Sequence, residues 1–336
     1  MRARHGSWSF VLLMLLLLIW INVSRAQNAR GSTTHSLEPA QPPTKVPSNV
    51  ILVKGAWSGS SDSSTPVPES GVVSGGVYTN EYFGLRYALP NGWAETYQGP
   101  PPSDNGRYVL AQIQQASTTP AQLLITAQDL FFSDARIHDA IQWAAYEKDN
   151  LQSDYKLELP ITQMTIAGRP FSFFSYWSPV AQLHWYVLGT EIRCHTLEFV
   201  FSGRDTRALE NLVQQMNKMS LPVDGSALTG ASGTSFPLCI KDYAESQQLL
   251  RRVDPILTEH KFNAVPVRMI IDTHGRIKHI HFLSAFPDQQ KAITDALKQW
   301  KFQPYLDHGR PTEVETGVMF GRGETGQAEQ GTSTVN

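Results

Sequence analysis

The sequence predicts an α+β chain with two folded units behind an exported N-terminus. Strand-like runs outnumber helical ones, and both kinds occur within residues 76–223 and again within 237–322. Runs of strands closed by a helix suit antiparallel sheets with helices packed on them, not alternating βαβ units. The two stretches are set apart by segments rich in Ser, Pro, Gly and Thr, 27–75 and 224–236. Such segments hold too little apolar surface to offset their ordering entropy and read as disordered linkers. The length of 336 residues fits about two domains. A net charge of -2 excludes a nucleic-acid binder, which needs a dense Lys/Arg footprint. Two cysteines exclude a disulfide framework and a Cys-rich metal site.

The first 26 residues read as a signal peptide. Arg2, Arg4 and His5 form a basic start, residues 10–23 carry no charge, and Ser24-Arg25-Ala26 places small residues before Gln27. A spanning helix needs roughly 20 apolar residues, so cleavage is the first reading and retention as an inner-membrane anchor the alternative. Residues 27–75 read as a spacer, and 323–336 as a disordered tail.

In the first unit, residues 77–89 (VYTNEYFGLRYAL) give two short strands, followed by turn chemistry at Pro90-Asn91-Gly92. Residues 108–115 and 122–130 are further strands. Residues 135–151 change to helical period, with Ile137, Ile141, Ala144 and Ala145 as the apolar positions. Strands follow at 165–177, broken near Gly168, and at 183–188 and 193–201. Residues 204–219 close the unit as a helix with Leu209, Leu212, Val213 and Met216 on one face. The aromatics Phe171, Phe173, Phe174, Tyr176, Trp177, Trp185 and Tyr186 read as sheet core plus one exposed stripe. The opening YTNEYFGLRYALPNGW, the helix after four strands and the closing helix together resemble the PsbP-like fold, an α/β/α sandwich. That resemblance implies a small envelope adaptor with a ligand- or partner-binding surface.

In the second unit, residues 244–257 give a weak helix with Leu249, Leu250 and Val253 as apolar positions. Residues 265–272 (VPVRMIID) alternate, turn at Thr273-His274-Gly275, and return as 276–284 (RIKHIHFLS), a hairpin. Residues 287–300 form a helix: Pro287 and Asp288 suit its first turn, and Ile293, Ala296, Leu297 and Trp300 make one apolar stripe. A last strand spans 313–320. This hairpin–helix–strand unit resembles the C-terminal domain of the TonB/TolA family. The residues that carry the likeness are Asp272-Thr273-His274-Gly275, Leu283-Ser284-Ala285, the helix with Ala296 and Trp300, and Trp300-Lys301-Phe302-Gln303-Pro304. To these add the His308-Gly309-Arg310-Pro311 turn and, upstream, Arg252-Val253-Asp254-Pro255. Ile256-Leu257 replaces the usual Tyr-Pro, the anchor lacks the family's polar motif, and the spacer is not an alternating Pro/acid, Pro/base one.

No HExxH, CxxC, GxSxG or P-loop pattern is present. His279 and His281 share one face of a strand, but zinc needs at least three protein ligands, and they read as solvated. Cys194 and Cys239 read as free buried thiols, with a bridge clamping the two units as the alternative. No catalytic residue, cofactor or metal is expected.

The sequence therefore predicts a non-enzymatic periplasmic binding or adaptor protein. The resemblance implies that its last strand docks on an envelope protein or peptide, an outer-membrane receptor among the possibilities, by β-strand addition. The residues concerned are Glu313, Val314, Glu315, Thr316, Gly317, Val318, Met319 and Phe320. The alternative is a membrane-anchored TonB-type energy transducer for transport across the outer membrane. Nucleic acid is not an expected partner, and the membrane is one only if the N-terminal segment is retained.

Overall fold

Burial alternates with period 2 along 77–80 and 85–88 in the computed structural model, whereas 265–271 is buried on both faces. The structure describes residues 57–321, apart from 98, 100, 101, 104, 118–120, 134–136, 138, 223–235, 246–247 and 258–263. The targeting segment, the spacer up to residue 56, nearly all of the 224–236 linker and the tail beyond 322 lie outside the described residues. No helix among the described residues is long and apolar enough to cross a membrane.

The chain begins with β1 (Trp57–Ser60), then β2 (Val72–Ser74), β3 (Val77–Asn80) and β4 (Leu85–Ala88), the last three forming a small antiparallel sheet. β5 (Trp93–Tyr97), β6 (Arg107–Gln115) and β7 (Gln122–Asp129) lead to helix α1 (Ala140–Asp149). Four long strands follow: β8 (Lys156–Ile166), β9 (Arg169–Ser178), β10 (Leu183–Ile192) and β11 (His195–Gly203). These seven strands make one antiparallel sheet in the order β5-β6-β7-β11-β10-β9-β8. Helix α2 (Thr206–Gln215) closes this part. Both helices start where an Asp side chain accepts two backbone N–H bonds, Asp139 from Ile141 and Gln142, Asp205 from Arg207 and Ala208.

The second part holds β12 (Leu238–Cys239), β13 (Leu249–Arg251), β14 (Val265–Ile271), β15 (Ile277–Ala285), helix α3 (Pro287–Leu297), the two-residue strands β16 (Lys301–Phe302), β17 (Leu306–Asp307) and β18 (Arg310–Pro311), and β19 (Val314–Phe320). Its sheet runs β1-β15-β14-β19-β12. The β14–β15 turn is fixed locally. Asp272 Oδ1 accepts from the backbone N–H of His274 and Arg276, and Gly275 has φ +75° beside the Phe302 carbonyl, where any Cβ would collide.

One face of this sheet packs on α3. Val265, Val267, Met269 and Ile271 of β14 join Ile293, Leu297, Trp300, Val314 and Phe320 in one apolar cluster. The opposite face packs on the first part, because Leu283 and Met319 belong to the apolar core of the seven-stranded sheet. The described residues from 57 to 321 accordingly fall in one compact unit.

Three elements depart from the sequence reading. The spacer reading fails for 57–75: β1 pairs antiparallel with β15, Trp57 opposite Ala285 and Ser60 opposite His281. Its ladder is made of backbone groups, which composition does not register. Residues 244–257 are not a helix; they contain β13, whose partner β16 lies some fifty residues downstream. In α1 the buried positions are Ala140, Trp143, Ala144 and Glu147, and Ile141 is exposed, because the buried stripe includes a carboxyl that pairs inside. The antiparallel sheets with few helices agree with the α+β class.

Candidate functional site

The strand that the sequence singled out, β19, lies inside its sheet. Along its whole length it pairs antiparallel with β14, from Val265 opposite Phe320 to Ile271 opposite Val314. Among the described residues its other edge is paired at the start, where β12 runs parallel with Leu238 opposite Val314 and Cys239 opposite Glu315. The Leu238 N–H donates to the Glu313 carbonyl at 2.8 Å, and the Ile240 N–H to the Glu315 carbonyl at 3.0 Å. The odd-numbered residues of β19 thus turn their backbone groups to this outer edge. Pro266, which has no N–H, stands opposite Met319 and agrees with that assignment. The pairing with β12 ends at Glu315, and Gly317, Val318 and Met319 are half-buried.

The side chains of the strand divide by face. Val314 and Phe320 are buried against α3, with Val318 beside them. Glu313 is half-buried, and its Oε1 accepts from Lys278 Nζ at 2.8 Å. Thr316 is fully buried and donates to the Lys241 carbonyl. On the other face, a Cβ added at Gly317 would come within 3.0 Å of Phe131 and Phe132. Glu315 lies on that face too, 3% exposed. Glu315, named among the residues of the docking strand, is therefore turned into the interior and not toward a partner.

Glu315 is the centre of a buried polar network between the two sheets. Its Oε2 accepts from Arg193 Nη2 at 2.6 Å, and its Oε1 from Tyr82 Oη at 2.8 Å and Arg268 Nε at 3.3 Å. Arg268 Nη1 pairs with Asp129 Oδ2 at 2.6 Å. The Arg193 guanidinium stacks over the Tyr82 ring at 3.7 Å, and that of Arg268 over Phe131 at 4.4 Å. Burial by itself would raise the Glu315 carboxyl, but the two guanidiniums outweigh it and hold the group at about 2. Asp129 has one such neighbour, and there burial wins and raises its carboxyl. His195 donates its Nδ1–H to the Arg193 carbonyl at 2.8 Å, while its Nε2 stands 3.6 Å from Asp129, beyond hydrogen-bond reach. Burial first, then the nearby Arg268 charge, keeps this imidazole neutral.

A second buried group lies under α1. Glu198 accepts from Trp143 Nε1 at 2.6 Å and from Thr126 Oγ1 at 2.9 Å, and pairs with Arg107 at 2.6 Å. Burial and the neighbouring Glu198 push the Glu147 carboxyl well up. The predicted aromatic stripe is mostly core: Phe171, Phe174, Tyr176, Trp185 and Tyr186 are buried, and Phe173 and Trp177 half-buried.

His279 and His281 are not solvated, as their strand position suggested. They are 3% and 2% exposed. His279 Nδ1 donates to Asp62 at 2.7 Å and His281 Nε2 to Glu69 at 2.8 Å, so both carboxylates come from the segment read as a spacer. His274 and His308 stay exposed in turns, and among the described residues no group of three or more ligands could hold a metal ion. Tyr82, Arg268, His279, His281 and Glu315 line a cavity of about 10 Å³, the size of one water.

Cys194 and Cys239 are joined in a disulfide, with Cα atoms 6.0 Å apart, which corrects the free-thiol reading. Their separation of 45 residues gives no hint of contact. Packing of the two sheets creates it, since Cys194 lies in the β10–β11 turn and Cys239 in β12. Sequence reasoning also missed Arg193, Asp129 and Tyr82. Arg268 carried a usable signal, a charge in the middle of an apolar strand, which demands a buried partner.

No protein-family model matches the chain, and no curated protein sequence matches it. Among solved structures it is similar to the solution structure of cyanobacterial PsbP from Synechocystis sp. PCC 6803. The two share 16% identity over 46% of this chain and 99% of that one, with a TM-score of 0.34.

Proposed function

We propose that this protein is an exported, non-enzymatic binding protein of the cell envelope. Its C-terminal sheet takes up an extended segment of a partner at the outer edge of β19. The observation that carries the reading is the half-exposed stretch Gly317–Met319, where the N–H and C=O groups of Gly317 and Met319 point outward past the end of β12. A peptide lying there would gain main-chain bonds, with affinity from the backbone and choice from alternate side chains. The likeness of about 237–322 to the TonB/TolA C-terminal domain supports the same edge. The N-terminal signal pattern supports the envelope. The titratable residues Asp129, Arg193, His195, Arg268 and Glu315 are taken up in joining the two sheets, which favours binding over catalysis.

A photo-reactive p-benzoylphenylalanine at Leu238, 39% exposed beside that edge, tests the proposal in cells. Discrete adducts with an envelope protein are expected from Leu238 and not from Leu250, 59% exposed on β13. Equal labelling from both positions would contradict it. The mature N-terminus is read in the same experiment. Cleavage before Gln27 fits the soluble adaptor, whereas Met1 retained in a membrane fraction would favour the energy-transducer alternative.

A further inference from the structure

We infer that the Cys194–Cys239 disulfide is a redox latch that holds a cover strand on the outer edge of β19. The inference rests on reading that edge as the binding site, and it names how access to the edge is controlled.

The cover is short. Leu238 and Ile240 each donate one backbone bond to β19, and the Lys241 carbonyl accepts from Thr316 Oγ1 at 3.2 Å. Cys239 lies between the two donors, so the cross-link sits at the middle of the cover. Apolar burial fixes it only in part: Leu238 is exposed, Ile240 is half-buried against the α3 cluster, and deep burial resumes at Tyr243 and Ala244. Tyr243 Oη also donates to the Gln303 carbonyl at 2.6 Å. The stretch 238–241 can therefore peel from β19 while the chain on its C-terminal side stays anchored.

The other end of the latch is rigid. Arg193 and Cys194 have φ of +50° and +52°, a left-handed conformation that side chains other than glycine rarely adopt. This two-residue turn joins β10 and β11, whose ladder runs without a break from His184–Gly203 to Ile192–His195. Such a pair of positive φ values is ordinarily filled by Asn-Gly or Gly-Gly. Here it is filled by the residue that pairs with Glu315 and the residue that bridges to the cover. The unfavourable turn thus aims two attachments at the C-terminal sheet.

The chemistry is thiol–disulfide exchange with a dithiol. Its thiolate attacks the Cys239 sulfur, because Cys239 is half-buried and Cys194 only 7% exposed. A mixed disulfide forms and Cys194 leaves as a thiolate, which takes up a proton. The second thiol of the dithiol then displaces Cys239, which is protonated in turn. Two electrons and two protons enter the protein, and the dithiol becomes a cyclic disulfide. The cover then rests on its short ladder with β19 and the Thr316–Lys241 bond, without the cross-link.

Amide hydrogen exchange of the full chain, oxidised and after treatment with dithiothreitol, tests the latch, with the Cys194→Ser/Cys239→Ser variant as a second open form. Exchange at Leu238 and Ile240 is expected to quicken about tenfold or more on reduction, while Val267 to Ile271 in β14 keep their protection. Unchanged exchange at Leu238 and Ile240, with both thiols shown free by alkylation, would overturn the latch. Equal loss of protection in β14 would also overturn it, since the bridge would then be a staple of the whole fold. The probe for the edge is a labelled peptide of the cover sequence 236–241 with Ser at the Cys239 position. It is expected to bind the reduced protein and the double variant, and the oxidised protein about tenfold more weakly or less. Faster exchange without peptide binding supports the latch and counts against the edge as a binding site.

Discussion

Glu315 pairs with two arginines from different elements, Arg193 of the β10–β11 turn and Arg268 of β14, and with the Tyr82 hydroxyl. Removing its charge leaves two buried guanidiniums short of an anion. Glu315→Gln is therefore expected to lower stability by about 3–5 kcal/mol, as breaking a buried ion pair does. Tyr82→Phe, which leaves both ion pairs in place, is expected to cost about 1 kcal/mol. Chemical denaturation compares the two, and equal small losses would place Glu315 in solvent. The same residues set the pH response. His195 is depressed below 6.5, so its contribution is complete above that pH and is lost as pH falls further. Glu315 is depressed from 4.5 to about 2, so its contribution is lost between those values as pH falls. Asp129, raised from 3.8, acts in the opposite sense and offsets part of the loss. Glu147, raised well above 4.5, works against stability as pH rises beyond that value. The difference in melting temperature between the protein and its Glu315→Gln variant, in which that background cancels, is therefore expected to shrink as pH falls from 4.5 towards 2. A difference that stays constant over that range would contradict the assignment of Glu315.

Helix α3 and the strand behind it show what was legible in the sequence. Ile293, Ala296, Leu297 and Trp300 repeat at helical spacing, and all four are buried. Trp300 donates its Nε1–H to the Val253 carbonyl at 2.7 Å and packs on Phe302 and Phe320. Trp300→Ala is expected to destabilise the protein by about 3–5 kcal/mol, from lost apolar burial and an unfilled cavity. A thermal melt that hardly shifts would make Trp300 a surface residue. The hairpin β14–β15 was legible for the same reason, since alternation of side chains is a local property. β1 was not, because Trp57, Ser58, Gly59 and Ser60 carry no apolar alternation and join the sheet through backbone bonds to β15. Nor was β13, since Leu249, Leu250 and Val253 fit helical spacing and only the distant β16 decides for a strand.

At the scale of the whole molecule the two sheets melt together if they are one unit, as the described residues from 57 to 321 are in this structure. Calorimetry is expected to show one cooperative transition, and two separate ones would contradict the shared core of Leu283, Met319 and the seven-stranded sheet. That joining was hidden from the sequence because each contact in it, Glu315 with Arg193 or Cys194 with Cys239, spans many residues and depends on which faces meet. The candidate site was legible as a strand, 313–320, but not its state: paired with β14 throughout, covered by β12 at one end and half-exposed at the other. Strand addition at β19 needs the outward N–H of Met319. Met319→Pro and Met319→Ala both remove the side chain from the sheet interface, and only proline removes the N–H. With circular dichroism showing both variants folded, the alanine variant is expected to keep the adducts made through position 238 and the proline variant to lose them. A folded Met319→Pro protein that forms the same adducts as the alanine variant would contradict strand addition at β19.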